Sequence, residues 1–136
     1  MKNAEIPKDQ PDYPDAAIRC YQDGNVLFQD RRYPNATHLF GLAAECALKT
    51  FLLTKISDIQ NIPHRHLPKL KNDVLMNLKD RRNTGLGKLL SNKDYMKDWH
   101  INNRYQPRQT FSKNSCETYR NHSQRTLHVA GIQSSL

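Results

Sequence analysis

Cysteine is scarce in this sequence. Cys20, Cys46 and Cys116 are odd in number and unclustered, which argues against a disulfide framework and a four-thiolate zinc site and leaves buried thiols as the expected state. Apolar residues are few as well: hydrophobic content is 37% and mean hydropathy is −0.85. The 136 residues therefore make one domain whose interior is small or completed by a partner, and a large cavity-bearing enzyme core is not expected. No run of about 18 uncharged apolar residues occurs, so no membrane span is predicted. The polar start Met1-Lys2-Asn3-Ala4-Glu5 does not read as a signal peptide, and a cytoplasmic protein is the expectation. The sequons at Asn35 and Asn121 would matter only in a secreted chain.

Acidic residues are the minority, 13 against 21 Lys and Arg, for a net charge of +8. The excess is uneven: −3 over residues 1–30, +2 over 31–63 and +9 over 64–136. A polyanionic partner such as RNA, a nucleotide or an acidic protein follows, and its site should draw on the later segments.

Strand-period alternation is absent, and what is present is helical. Residues 1–14, with Pro7, Pro11 and Pro14 among polar groups, read as an extended arm. Asp15 is a plausible N-cap for a first helix over 15–32, carrying Ala17, Ile18, Tyr21, Val26 and Leu27 at helical spacing. Tyr33-Pro34 interrupts it and opens a second helix. That helix, from Ala36 through Leu53, is apolar on nearly every side, the mark of a central helix surrounded by others. Glu45 and Lys49 lie four apart inside it and need partners.

After a polar turn over 58–63, Leu67, Leu70, Val74, Leu75 and Leu78 predict a third helix over 66–82. A short amphipathic segment follows through Leu89, Leu90, Tyr95, Met96 and Trp99, and a last helix covers about 113–132. The fold class is all-α, a single helical bundle over 15–136.

Three segments bring Arg and His together, the pair of side chains that can hold a phosphodiester and move a proton near neutral pH. The first runs from Arg31-Arg32 to His38. The second is Trp99-His100-Ile-Asn-Asn-Arg104-Tyr105, where His100 and Arg104 share a face if the stretch is α-helical. The third is Tyr119 to His128. Arg31, Arg81, Arg82, Lys88, Arg120 and Arg125 are the expected phosphate contacts, and Arg104 is alternatively a buried structural partner for Glu45.

No metal or cofactor is expected. His64 and His66, two apart and without nearby Cys or carboxylate, are a weak ligand set. Gly85-Leu86-Gly87-Lys88 is not a P-loop, since Arg82 stands where a glycine is needed and Leu89 where Ser or Thr is needed. No nucleophile elbow, zinc-protease helix or dinucleotide fingerprint occurs.

The order Arg32-Tyr33, Ala44-Glu45-Cys46-Ala47-Leu48-Lys49, His66-Leu67, Trp99 and Arg104-Tyr105 resembles the HEPN superfamily of prokaryotic helical domains over roughly residues 15–133. The resemblance implies an up-and-down bundle of four or five helices, commonly a homodimer, in toxin–antitoxin, phage-defence or RNA-processing systems. It further implies a metal-independent endoribonuclease in which an Arg and a His four to six residues apart meet their dimer mates. Arginine would stabilise the charged phosphorane and histidine place or move the proton of the 2′-OH.

In the last helix no pair has that spacing: Arg120 and His122 are two apart, Arg120 and His128 eight, Arg125 and His128 three. Arg32 and His38 fit it, so Arg32, His38, His100 and Arg104 are the candidate catalytic residues. The alternative function is a non-catalytic interaction module, an antitoxin or accessory subunit whose basic face docks an acidic protein.

Overall fold

The structure, a computed structural model, describes residues 11–54, 65–80 and 82–132. The polar turn expected over 58–63, His64, Arg81 and most of the expected N-terminal arm lie outside the described residues. Among those described there are five α-helices and no strand: α1 Tyr13–Gln29, α2 Tyr33–Leu53, α3 Leu67–Met76, α4 Gly85–Ser91 and α5 Lys113–Val129, with 3-10 turns at Ile101–Tyr105 and Arg108–Thr110. The chain is a helical bundle.

Helix α2 is its axis. By length and composition alone it is apolar enough to cross a membrane, but here it is sheathed by the other helices. Its residues Ala36, Phe40, Ala43, Ala44, Ala47 and Leu48 are fully buried, packed with residues of α1, α3 and α5 in one core. The alanines keep the surface thin and let neighbours approach closely. Helix α1 runs antiparallel to α2 in a fixed register: Phe28 packs on Tyr33 at 5.6 Å, Tyr21 on Phe40 at 5.8 Å, and Tyr13 beneath Lys49 at 5.4 Å.

Element ends depart from the sequence reading in identifiable ways. Asp12, not Asp15, caps α1, accepting from the Asp15 backbone N–H at 3.1 Å. Residues 13 and 14 therefore belong to the helix and not to an extended arm, with Pro14 in the first turn, where its missing N–H costs nothing. Helix α3 ends at Met76, six residues short of expectation. Asn77 turns its side-chain amide back to the Asp73 carbonyl at 2.8 Å, and Asp80 adopts a left-handed φ of 53°. Thr84 then caps the separate α4 through the Gly87 N–H at 3.0 Å.

The polar pair in α2 finds partners other than those expected. Glu45, 2% exposed, lies 3.9 Å from Lys49 Nζ and accepts from His66 Nδ1 at 3.2 Å and from the Leu67 backbone N–H at 3.1 Å. Leu67 is the first residue of α3, whose own N-cap, His66, supplies no side-chain cap. Glu45 is therefore a cap delivered from a neighbouring helix, its negative charge set against the positive end of the α3 dipole. The expected Glu45–Arg104 ion pair does not form. Arg104 lies by the first turns of α2, level with His38, and Glu45 is seven residues farther along, about 10 Å at 1.5 Å per residue.

Candidate functional site

The segment between α4 and α5 positions the site. Met96 and Asp98 hold left-handed φ values of 47° and 64°, conformations that cost non-glycine residues about 1–2 kcal/mol each. They persist because the turn is pinned on every side. The Met96 N–H donates to His122 Nδ1 at 3.0 Å, the Tyr119 hydroxyl donates to the Lys97 carbonyl, and Tyr95 donates to Thr126 Oγ1 at 2.7 Å.

This clamp drives Trp99 into α2. Its indole N–H donates to the Thr37 carbonyl at 3.0 Å, and its ring lies against Gly41, where a Cβ would sit 1.8 Å from Trp99 Cε2. Glycine is the only residue that fits there. On the same side of α2, His38 stacks on the indole, with centroids 6.2 Å apart and planes 16° apart. The single tryptophan thus ties the first Arg/His segment to the second.

Where they meet, a cleft of about 440 Å³ opens at the head of α2, lined by Asp30, Arg31, Arg32, Asn35, Arg104 and Arg108 among others. Four guanidiniums face one carboxylate, and Asp30 is already bonded to Arg32 Nε at 2.8 Å. No side chain caps the start of α2, and its second residue is Pro34. The positive end of the helix dipole adds to the field in the cleft.

Arg31 is notable for its backbone. The turn after α1 closes with Arg31 N–H to the Phe28 carbonyl at 3.1 Å and Arg32 N–H to the Leu27 carbonyl at 2.8 Å, the pair of bonds that ends helices with a left-handed residue, usually glycine. Helix α5 ends the same way with Gly131 at φ 82°, whereas here Arg31 takes φ 62°. Arg31 thus lines the cleft from a backbone conformation that is strained for a residue with a Cβ.

His38 is partly buried, and its Nδ1 is enclosed without a hydrogen-bond partner. Burial first, and the charge of Arg104 second, lower its pKa below the ordinary imidazole value. It is neutral at pH 7, a group that takes a proton more readily than it gives one.

The other expected residues fall elsewhere. His100 is exposed, and its Nδ1 accepts from the Asn102 N–H at 3.1 Å. It does not share a face with Arg104, because Ile101–Tyr105 is a 3-10 turn, in which residues four apart are about 120° apart around the axis. Arg120 lies over the Phe28 ring at 5.2 Å, while Arg82 on the α3–α4 connection, Lys88 on α4 and Arg125 on α5 are exposed, away from the cleft lining. His66, which with His64 reads in the sequence as only a weak ligand set, is bound to Glu45 at 3.2 Å. Sequence reasoning missed Arg108; its only signal was the four-residue step from Arg104 across Pro107.

The third Arg/His segment serves the scaffold. His122 accepts from Met96 and packs 5.4 Å from Tyr95, and its pKa is lowered by burial, then by Arg125, against an opposing pull from Asp94. An imidazole neutral in the fold and near pKa 6.5 when unfolded contributes stability that is fully present above pH 6.5 and lost as pH falls through the lowered folded value. The urea midpoint should therefore drop between pH 7 and pH 5. It should drop less steeply in His122→Asn, whose carbonyl accepts from Met96 but does not titrate; parallel profiles would contradict the assignment.

Compared with known proteins, the chain matches no family model, no curated protein and no solved structure. Its function rests on the geometry above.

Proposed function

We propose that this HEPN-like bundle binds RNA or a nucleotide through the arginine cleft at the head of α2, and that, as a homodimer, it cleaves RNA without metal in a toxin–antitoxin or phage-defence system. The observation that carries the proposal is the convergence of Arg31, Arg32, Arg104 and Arg108 on one cleft, with the neutral His38 close enough to feel the charge of Arg104. Guanidiniums in that number match phosphate oxygens in geometry and charge. A neutral imidazole beside them is suited to take the 2′-OH proton while arginine holds the developing phosphorane.

The cleft sets four arginines, Arg31, Arg32, Arg104 and Arg108, against a single carboxylate, Asp30, a charge balance that also suits the carboxylates of an acidic protein. That supports a second reading, a non-catalytic module that binds its partner through the same cleft, as an antitoxin or accessory subunit does.

Incubation of the purified protein with mixed RNA in EDTA separates the two readings. Cleavage is expected to persist in EDTA, to fall about a hundredfold or more in His38→Ala and in Arg32→Ala or Arg104→Ala, and to survive in His100→Ala. RNA retention without cleavage establishes the non-catalytic reading. Absence of any RNA or nucleotide binding at low salt sinks the proposal.

A further inference from the structure

Next to the arginine cleft stands an aromatic ring that the fold does not use. Tyr105 is 74% exposed, and the Arg104 guanidinium lies over its ring at 4.8 Å. An exposed tyrosine alone is ordinary; this one has a cleft-lining arginine over one face of its ring and the other face open, at the end of a 3-10 turn fixed through Trp99. At the other end of that turn a second cleft, of about 360 Å³, is lined by Lys71, Lys93, Lys97 and His100, with Asp98 the carboxylate among them. From His100 to Arg104 the turn rises on the order of 8 Å at 2 Å per residue, which two or three nucleotides of a stacked strand span at about 3.4 Å each.

We infer that the 3-10 turn Ile101–Tyr105 carries an unpaired RNA strand, with phosphates held in the arginine cleft at one end and the lysine cleft at the other, and one base stacked on Tyr105. This inference rests on the reading that the arginine cleft takes phosphate. A paired duplex is disfavoured, because its bases are stacked on one another and are not free to lie on an exposed side chain. The phosphate-rich strand also accounts for two basic clefts from different parts of the chain, since Lys71 comes from α3 and Lys93 and Lys97 from the pinned turn.

Fluorescence anisotropy with an unpaired eight-nucleotide RNA, a dinucleotide and an eight-base-pair RNA duplex tests it on the full chain. Tyr105→Ala should weaken octamer binding about tenfold and leave the salt dependence unchanged, whereas Tyr105→Phe should bind as the parent does. Lys71→Gln, Lys93→Gln and Lys97→Gln together should reduce the slope of log affinity against log salt by roughly 2 for the octamer, at about 0.7 per lost phosphate contact, and leave the dinucleotide unaffected.

Equal binding of octamer and duplex overturns the inference, as does a Tyr105→Ala variant indistinguishable from the parent or an unchanged octamer slope in the lysine variant. Its failure is separable from failure of the underlying reading. Dinucleotide binding abolished by Arg104→Ala keeps the arginine cleft whatever Tyr105 does, and no dinucleotide binding at all removes both.

Discussion

Replacing Gly41 with alanine is expected to destabilise the fold by about 3–5 kcal/mol, the range for losing a buried tryptophan's packing. The new methyl would occupy the place of the indole, 1.8 Å from Cε2 and 2.1 Å from Nε1. The ring is not the free end of a flexible chain: it is buried, bonded to Thr37 and stacked on His38. It must therefore leave or push α2 away. Trp99 is the only tryptophan in the sequence, so its emission reports the displacement directly. The variant should show a lower urea midpoint and red-shifted native fluorescence, and should lose function through the same step, since the 3-10 turn and Arg104 follow Trp99 in the chain. An unchanged midpoint with unchanged emission would refute the role given to this contact.

Glu45→Ala should cost a similar amount, about 3–5 kcal/mol, because it breaks a buried ionic cluster from one side. Lys49, 6% exposed, would lose the carboxylate 3.9 Å from its Nζ, and the Leu67 N–H would lose its acceptor. Glu45→Gln separates the two losses. Its amide oxygen still accepts from Leu67, so a cost near that of alanine assigns the stability to charge, and a cost near zero assigns it to the cap. A midpoint for Glu45→Ala within error of the parent would show that α3 docks without it. Loss of α3 would also disturb Lys71, and with it the lysine cleft.

The bundle was legible in the sequence wherever local rules decide. Pro34 marks the start of α2, and the all-round apolar run from Ala36 marks its central position, because proline chemistry and burial act within a few residues. Glu45 was legible as a residue that needed partners, but not which. Its true partners sit at the start of α3, and a carboxylate that caps a helix from another element leaves no spacing to read. The pairing with Arg104 failed for a related reason. The path from Trp99 to Tyr105 is set by left-handed Met96 and Asp98 and by their anchors on α5; methionine gives no sign of that conformation, and aspartate, which adopts it more readily than most residues, does so too seldom to mark the position. The same path, built of 3-10 turns and not of α-helix, brings Arg104 and Arg108 to Arg31 and Arg32, so the cleft could be read only as separate basic segments.

The bond from Trp99 to Thr37 spans 62 residues, and that separation sets an order of events during synthesis. At about 5–20 residues per second, Trp99 is made roughly 3 to 12 s after Thr37. Through that interval Arg31, Arg32 and His38 exist with Gly41 uncovered and no opposite wall to the cleft. A growing chain thus lacks the assembled site until Trp99 and the residues up to Arg108 emerge, and any interruption before Trp99 yields a fragment with half a cleft and an open groove on its central helix.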